Sequence, residues 1–97
     1  MNWTQLKQDL LKNKIVKARL FGNSMTPKIN DGDLVILDAN CKDLAKNDVV
    51  FCKVGRNYHV HLITAIRNDR YQISNNKGHV NGWIGKNNIF AKVIGKE

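Results

Sequence analysis

Trp3, Leu6 and Leu10 fall about one helical turn apart, with Lys7, Gln8 and Lys12 between them. Apolar side chains at that spacing share one face of a helix while the polar ones turn to water. Residues 3–13 are therefore predicted to form a short amphipathic helix that packs on the rest of the chain. At Ile15 the period drops to two. Val16, Ala18 and Leu20 alternate with Lys17, Arg19 and Phe21, the pattern of a half-buried strand. A polar stretch holding Pro27 follows, and Asp31-Gly32-Asp33 is a turn signal. Leu34 to Leu37 and Val49 to Val54 are apolar runs of strand length, separated by polar, turn-rich residues 38–48. Gly55-Arg56-Asn57 reads as a hairpin turn, Tyr58 to Ile66 as its returning strand, Asn68-Asp69 as a second turn and Arg70 to Ser74 as the next strand. Residues 75–82, "NNKGHVNG", read as a polar loop, and Ile89 to Ile94 as the closing strand. Short strands punctuated by turns, after one helix, predict a mostly β fold: a compact, largely antiparallel sheet or barrel with a short N-terminal helix.

The 97 residues suit one domain, a helical segment over 1–14 leading into a β core over 15–97. The formal charge of +8 favours anionic partners in general. No run of five like charges and no basic-aromatic motif singles out nucleic acid, so a nucleic-acid role is not expected. No stretch reaches the ~18 apolar residues of a membrane-spanning helix, and the N-terminus has no apolar signal core. The expectation is a cytoplasmic protein, with peripheral membrane contact through the basic helix left open. The two cysteines, Cys41 and Cys52, form no C-x-x-C pair. Both are expected to be reduced, Cys52 as a small core residue.

Two residue types then change the picture. Ser24 lies in a Gly-Asn-Ser turn. Strand alternation in "NYHVHLITAI" puts His59, His61 and Ile63 on one face, with Tyr58, Val60 and Leu62 on the other. A serine hydroxyl is a weak nucleophile until a base takes its proton, and a neutral imidazole can do so near pH 7. By spacing alone, such a pair has little specificity.

The surrounding motif has more. "GNSMTPKINDGDLVIL" closely resembles the nucleophile box of the serine-protease superfamily that unites LexA-type repressors with signal peptidases: Gly-x-Ser-Met-x-Pro, then Gly-Asp and an apolar strand. Here the matching residues are Gly22, Ser24, Met25, Pro27, Gly32 and Asp33. "NDVVFCKV", "HVHLI" and "NNIFAKVIG" are similar to later strands of the family, so the resemblance covers about residues 15–95. It implies Ser24 as nucleophile and His61 as general base, at a position where bacterial signal peptidases and LexA-type proteins carry lysine. Signal peptidases of the endoplasmic reticulum and of archaea have histidine there and add an aspartate from a downstream loop. The corresponding segment here, "SNNKGHVNGW", offers Asn75 and Asn81 as candidate third members. An asparagine oxygen can hold the imidazole tautomer but brings no charge. Oxyanion donors are expected from the backbone N–H groups of Asn23 and Ser24, with Gly22 giving room for a substrate backbone. Met25 and Pro27 are expected to anchor and stiffen the loop, and Asp33 to hold the turn.

The implied function is a soluble serine endopeptidase acting on an extended peptide laid beside the Ser24 loop. The alternatives are a weakly active or silent peptide-binding domain of the same fold, and a LexA-type self-cleaving regulator. Only about fourteen residues precede the first strand, and no self-cleavage arm is evident, which counts against the last. His59-x-His61 is the start of a zinc-ligand pattern, but the pair is unspecific. No metal and no cofactor are expected. His59 should lie beside the site, His79 in solvent, and Trp83 in the packing.

Overall fold

The computed structural model describes residues 2–40 and 43–97; Cys41 lies outside the described residues. Among the described residues, one helix and seven strands follow in order: α1 (Trp3–Asn13), β1 (Ile15–Arg19), β2 (Leu34–Asp38), β3 (Val49–Val54), β4 (Asn57–Arg67), β5 (Arg70–Ser74), β6 (Val80–Gly85) and β7 (Ile89–Lys96). A single 3₁₀ turn over Lys86–Asn88 precedes β7. All described strand pairs are antiparallel, in the order β1-β2-β7-β3-β4-β5-β6. The mostly β, antiparallel architecture with a short N-terminal helix agrees with the sequence expectation.

Helix α1 begins where Asn2 caps it: its Oδ1 accepts the Gln5 N–H at 3.0 Å. It ends at Lys14, whose φ of +64° turns the chain out of the helix while its N–H still bonds the Leu10 carbonyl. Leu6 and Leu10 are buried beneath it. β1 then stops at Arg19 rather than continuing to Phe21, which is exposed. β4 turns back from β3 through Gly55-Arg56, and the pair is in strict register from Val49↔Leu62 to Val54↔Asn57.

Alternation along β3 and β4 divides the interior in two. Phe51, Val60 and Leu62 join Leu6, Leu10, Val35, Leu37 and Ala91 on the helix side. Val50, Cys52 and Ile63 join Ile73 and Ile84 on the other. Phe51, fully buried, is the centre of an aromatic group, with ring centroids 5.6 Å from Trp3, 5.7 Å from Tyr58 and 5.3 Å from Phe90. Cys52 is a buried free thiol, and burial pushes its pKa up to about 12.

The segment 75–82 differs from expectation. Its last three residues, Val80 to Gly82, are not loop but the start of β6. The pairing runs Ile73↔Gly82 and then Ser74↔Val80, so Asn81 is an extra residue without a partner on β5. This β-bulge breaks the two-residue period by which a strand is recognised. The sheet also curls until β6 lies against β3: a Cβ at Gly82 would stand 3.0 Å from Val54 Cγ1. Trp83, expected in the packing, is 40% exposed.

Candidate active site

The Ser24 loop leaves β1 and returns to β2, and its neck is closed by backbone hydrogen bonds. The Leu20 N–H donates to the Asp33 carbonyl at 2.9 Å and the Gly32 N–H to the Leu20 carbonyl at 2.7 Å. Two carboxylates hold the span between. Asp31 accepts from the Gly22 N–H at 2.8 Å. Asp33 accepts from the Asn30 N–H at 2.8 Å and from Lys96 Nζ at 3.0 Å. These bonds, the Asn30 N–H first, hold the Asp33 carboxyl below its usual pKa. Gly22 at φ +104° and Gly32 at φ +85° occupy backbone space that side chains disfavour. Inside the loop Met25 and Ile29 are buried with Leu20 and fasten it to the core. The Thr26–Pro27 peptide bond is cis. Such a loop has little freedom, and it carries Ser24 to the mouth of a cleft of about 150 Å³ lined by Trp3, Tyr58, His59 and His61 among others.

His61 lies mid-strand in β4, opposite Val50 on β3, and is buried. Its two ring nitrogens face two different partners. Nε2 is 3.1 Å from Ser24 Oγ, and Nδ1 is 2.7 Å from Asn81 Oδ1. An amide oxygen can only accept. With Oδ1 toward it, Nδ1 carries the proton, and Nε2 keeps the lone pair that faces the serine hydroxyl. The bulge in β6 is what aims Asn81, since a residue released from the ladder is free to point where regular pleating would not send it.

Burial pushes the His61 pKa down. The Asn81 hydrogen bond opposes this, and the nearby His79 adds to it. His59 stacks on the His61 ring with centroids 4.6 Å apart and planes 22° from parallel. It too is held below the ordinary histidine value, first by burial and then by the other two imidazoles. The imidazole at Ser24 is therefore predominantly neutral at pH 7. His79 is exposed. Among the described residues, no group of three His, Cys, Asp or Glu stands close enough to hold a metal ion. No helix among them is long and apolar enough to cross a membrane.

Ser24, His61 and Asn81 are thus brought into one chain of hydrogen bonds. Asn75 is not part of it. Its Oδ1 accepts the N–H groups of Lys77 and His79 at 2.8 and 2.9 Å and shapes the turn. The backbone N–H groups of Asn23 and Ser24 make no hydrogen bond with the described residues. A residue that sequence reasoning passed over is Asn76. Its N–H donates to the Ser24 carbonyl at 2.9 Å and its Nδ2 to the Thr26 carbonyl at 3.0 Å. The only sequence trace of this is the Asn75-Asn76 doublet, which any turn could contain.

Against known proteins, the family model described as Peptidase S24-like matches residues 3–96. No curated protein matches the chain.

Proposed function

Because the chain belongs to the Peptidase S24-like family, we propose that it is a serine endopeptidase with Ser24 as nucleophile, His61 as general base and Asn81 as the residue that orients the base. The observation that carries this reading is the 3.1 Å approach of Ser24 Oγ to His61 Nε2, with Nδ1 held by Asn81. In the reaction Nε2 takes the Ser24 proton as Oγ bonds to the scissile carbonyl carbon. The carbonyl oxygen becomes an oxyanion, stabilised by the N–H groups of Asn23 and Ser24. The imidazolium then gives its proton to the departing amine as the C–N bond breaks. The acyl-enzyme is opened by a water that His61 deprotonates in turn.

The substrate in this reading is a polypeptide in extended form, with Gly22 leaving space for its backbone beside the nucleophile. The buried free thiol of Cys52 suits a reducing compartment, and the proposed setting is the cytoplasm or a membrane surface facing it. Asn81 also favours a slow enzyme, or a domain that binds peptide without cutting it, because an amide stabilises the imidazolium less than a carboxylate does.

A fluorophosphonate probe separates the two. Covalent labelling of Ser24, abolished in Ser24→Ala and reduced at least ~100-fold in His61→Ala, is the expected result. A folded wild-type protein that does not label at Ser24 would overturn the endopeptidase reading and leave the binding domain.

A further inference from the structure

The segment that runs from the β5–β6 turn into the start of β6 touches both halves of the proposed dyad. We infer that Asn76 is a positioning residue: a two-point clamp that holds the Ser24 loop at the distance from His61 that proton transfer requires. This rests on the endopeptidase reading and extends it to a residue that touches neither substrate nor base.

The geometry is specific. Two donors of one residue, the backbone N–H and Nδ2, meet the carbonyls of Ser24 and Thr26, two positions apart on the loop. The clamp is itself held. Asn75 fixes the turn through Lys77 and His79, and its own N–H donates to the His79 carbonyl at 2.9 Å. Five residues beyond Asn76 the same segment delivers Asn81 to His61 at 2.7 Å. One short piece of chain thus grips the nucleophile's backbone and the base's ring. The separation between hydroxyl and imidazole is set by that piece as well as by the packing of Met25 beneath the loop. Remote groups that hold reacting atoms in line carry large rate effects, since a displacement of about 1 Å can cost ~100-fold.

The test compares Asn76→Ala, which removes the Nδ2 donor, with Asn76→Asp, which keeps the shape but sets a carboxylate oxygen against the Thr26 carbonyl. Three readouts are taken on the full chain: the fluorophosphonate labelling rate of Ser24 across pH, the Tm, and hydrogen exchange of the Ile29 amide, which bonds the Met25 carbonyl inside the loop. The expected result is a plateau labelling rate about 10- to 100-fold lower in both variants. The midpoint of the acid limb should be unchanged, because Asn81 still holds His61, and the Ile29 amide should exchange about ten-fold faster. Labelling within two-fold of wild type in a folded variant overturns the clamp. So does a loss that appears only with a collapse of Tm in both variants. Should wild-type Ser24 not label at all, the endopeptidase reading fails on its own account. Ile29 exchange in Asn76→Asp then decides the clamp: faster upholds it, unchanged sinks it.

Discussion

A base beside a serine must be neutral to work, and His61 is held in that state by burial. Its folded pKa lies below the ordinary 6.5, so the imidazole is free of its second proton through the neutral range and gains it only as pH falls through that lowered value. Ser24 reactivity should accordingly show an acid limb with its midpoint below pH 6.5, measured as labelling rate against pH. Asn81→Asp would set a carboxylate 2.7 Å from Nδ1. Opposite charge favours the imidazolium, so the midpoint should move to higher pH while the plateau rises by about one to two orders of magnitude. The reverse outcome, a lower midpoint or an unchanged plateau, would show that the amide of Asn81 serves the base as well as a carboxylate would. The serine and the histidine were both legible in the sequence through resemblance, Ser24 in a nucleophile box of six matching positions and His61 in the base strand; alternation alone puts His59 and His61 on one face and does not choose between them. The choice between Asn75 and Asn81 was not. Both are asparagines in a polar segment, and they differ only in which one the chain aims at the ring.

That aim is a property of β6. Most of the fold's elements were visible in the sequence: α1 from the spacing of Trp3, Leu6 and Leu10, β3 from an apolar run of strand length, and β4 as the strand returning from the turn at Gly55-Arg56-Asn57. β6 was hidden because its bulge shifts Val80 out of step with Ile84 and because Asn81 and Gly82 look like turn residues. Gly82 sits at φ +150°, where a side chain is strained, and a Cβ there would press on Val54. Gly82→Ala should therefore lower stability by roughly 1–3 kcal/mol in a denaturant titration. It should also slow Ser24 labelling, since relief of the strain by regularising the strand would swing Asn81 away from His61. Full labelling in a destabilised Gly82→Ala protein would mean that the bulge does not aim the asparagine.

The apolar lining of the cleft, Leu20, Met25, Ile29 and Val60 with Trp3 and Tyr58, belongs to the helix-side cluster, so the site's geometry inherits that cluster's packing. Phe51 joins α1 through Trp3, β4 through Tyr58 and β7 through Phe90. Phe51→Ala should cost about 3–5 kcal/mol, read as a lowered denaturation midpoint with the slope retained. The described ion pairs count for less. Lys17–Glu97 is exposed at both ends, and Lys96–Asp33 is partly so. Such pairs contribute little once water and salt screen them. The net charge of +8 shapes what approaches the molecule more than how it folds.

Local chemistry by itself determined most of the element types, the mostly β class and the turn at Asp31-Gly32-Asp33, because each depends on neighbours in the chain, while the pairing of Ser24 with His61 was legible only through the resemblance of their motifs. Only the tertiary structure decided which asparagine reaches the imidazole, that Asn76 grips the Ser24 loop, and that β6 exists as a bulged strand. The two asparagine contacts join residues 20 to 52 positions apart, and the bulge is an irregular register between β5 and β6. Hydrogen bonds between distant polar residues leave no periodic trace in a sequence, since any asparagine in a turn can make them and only the fold says which one does.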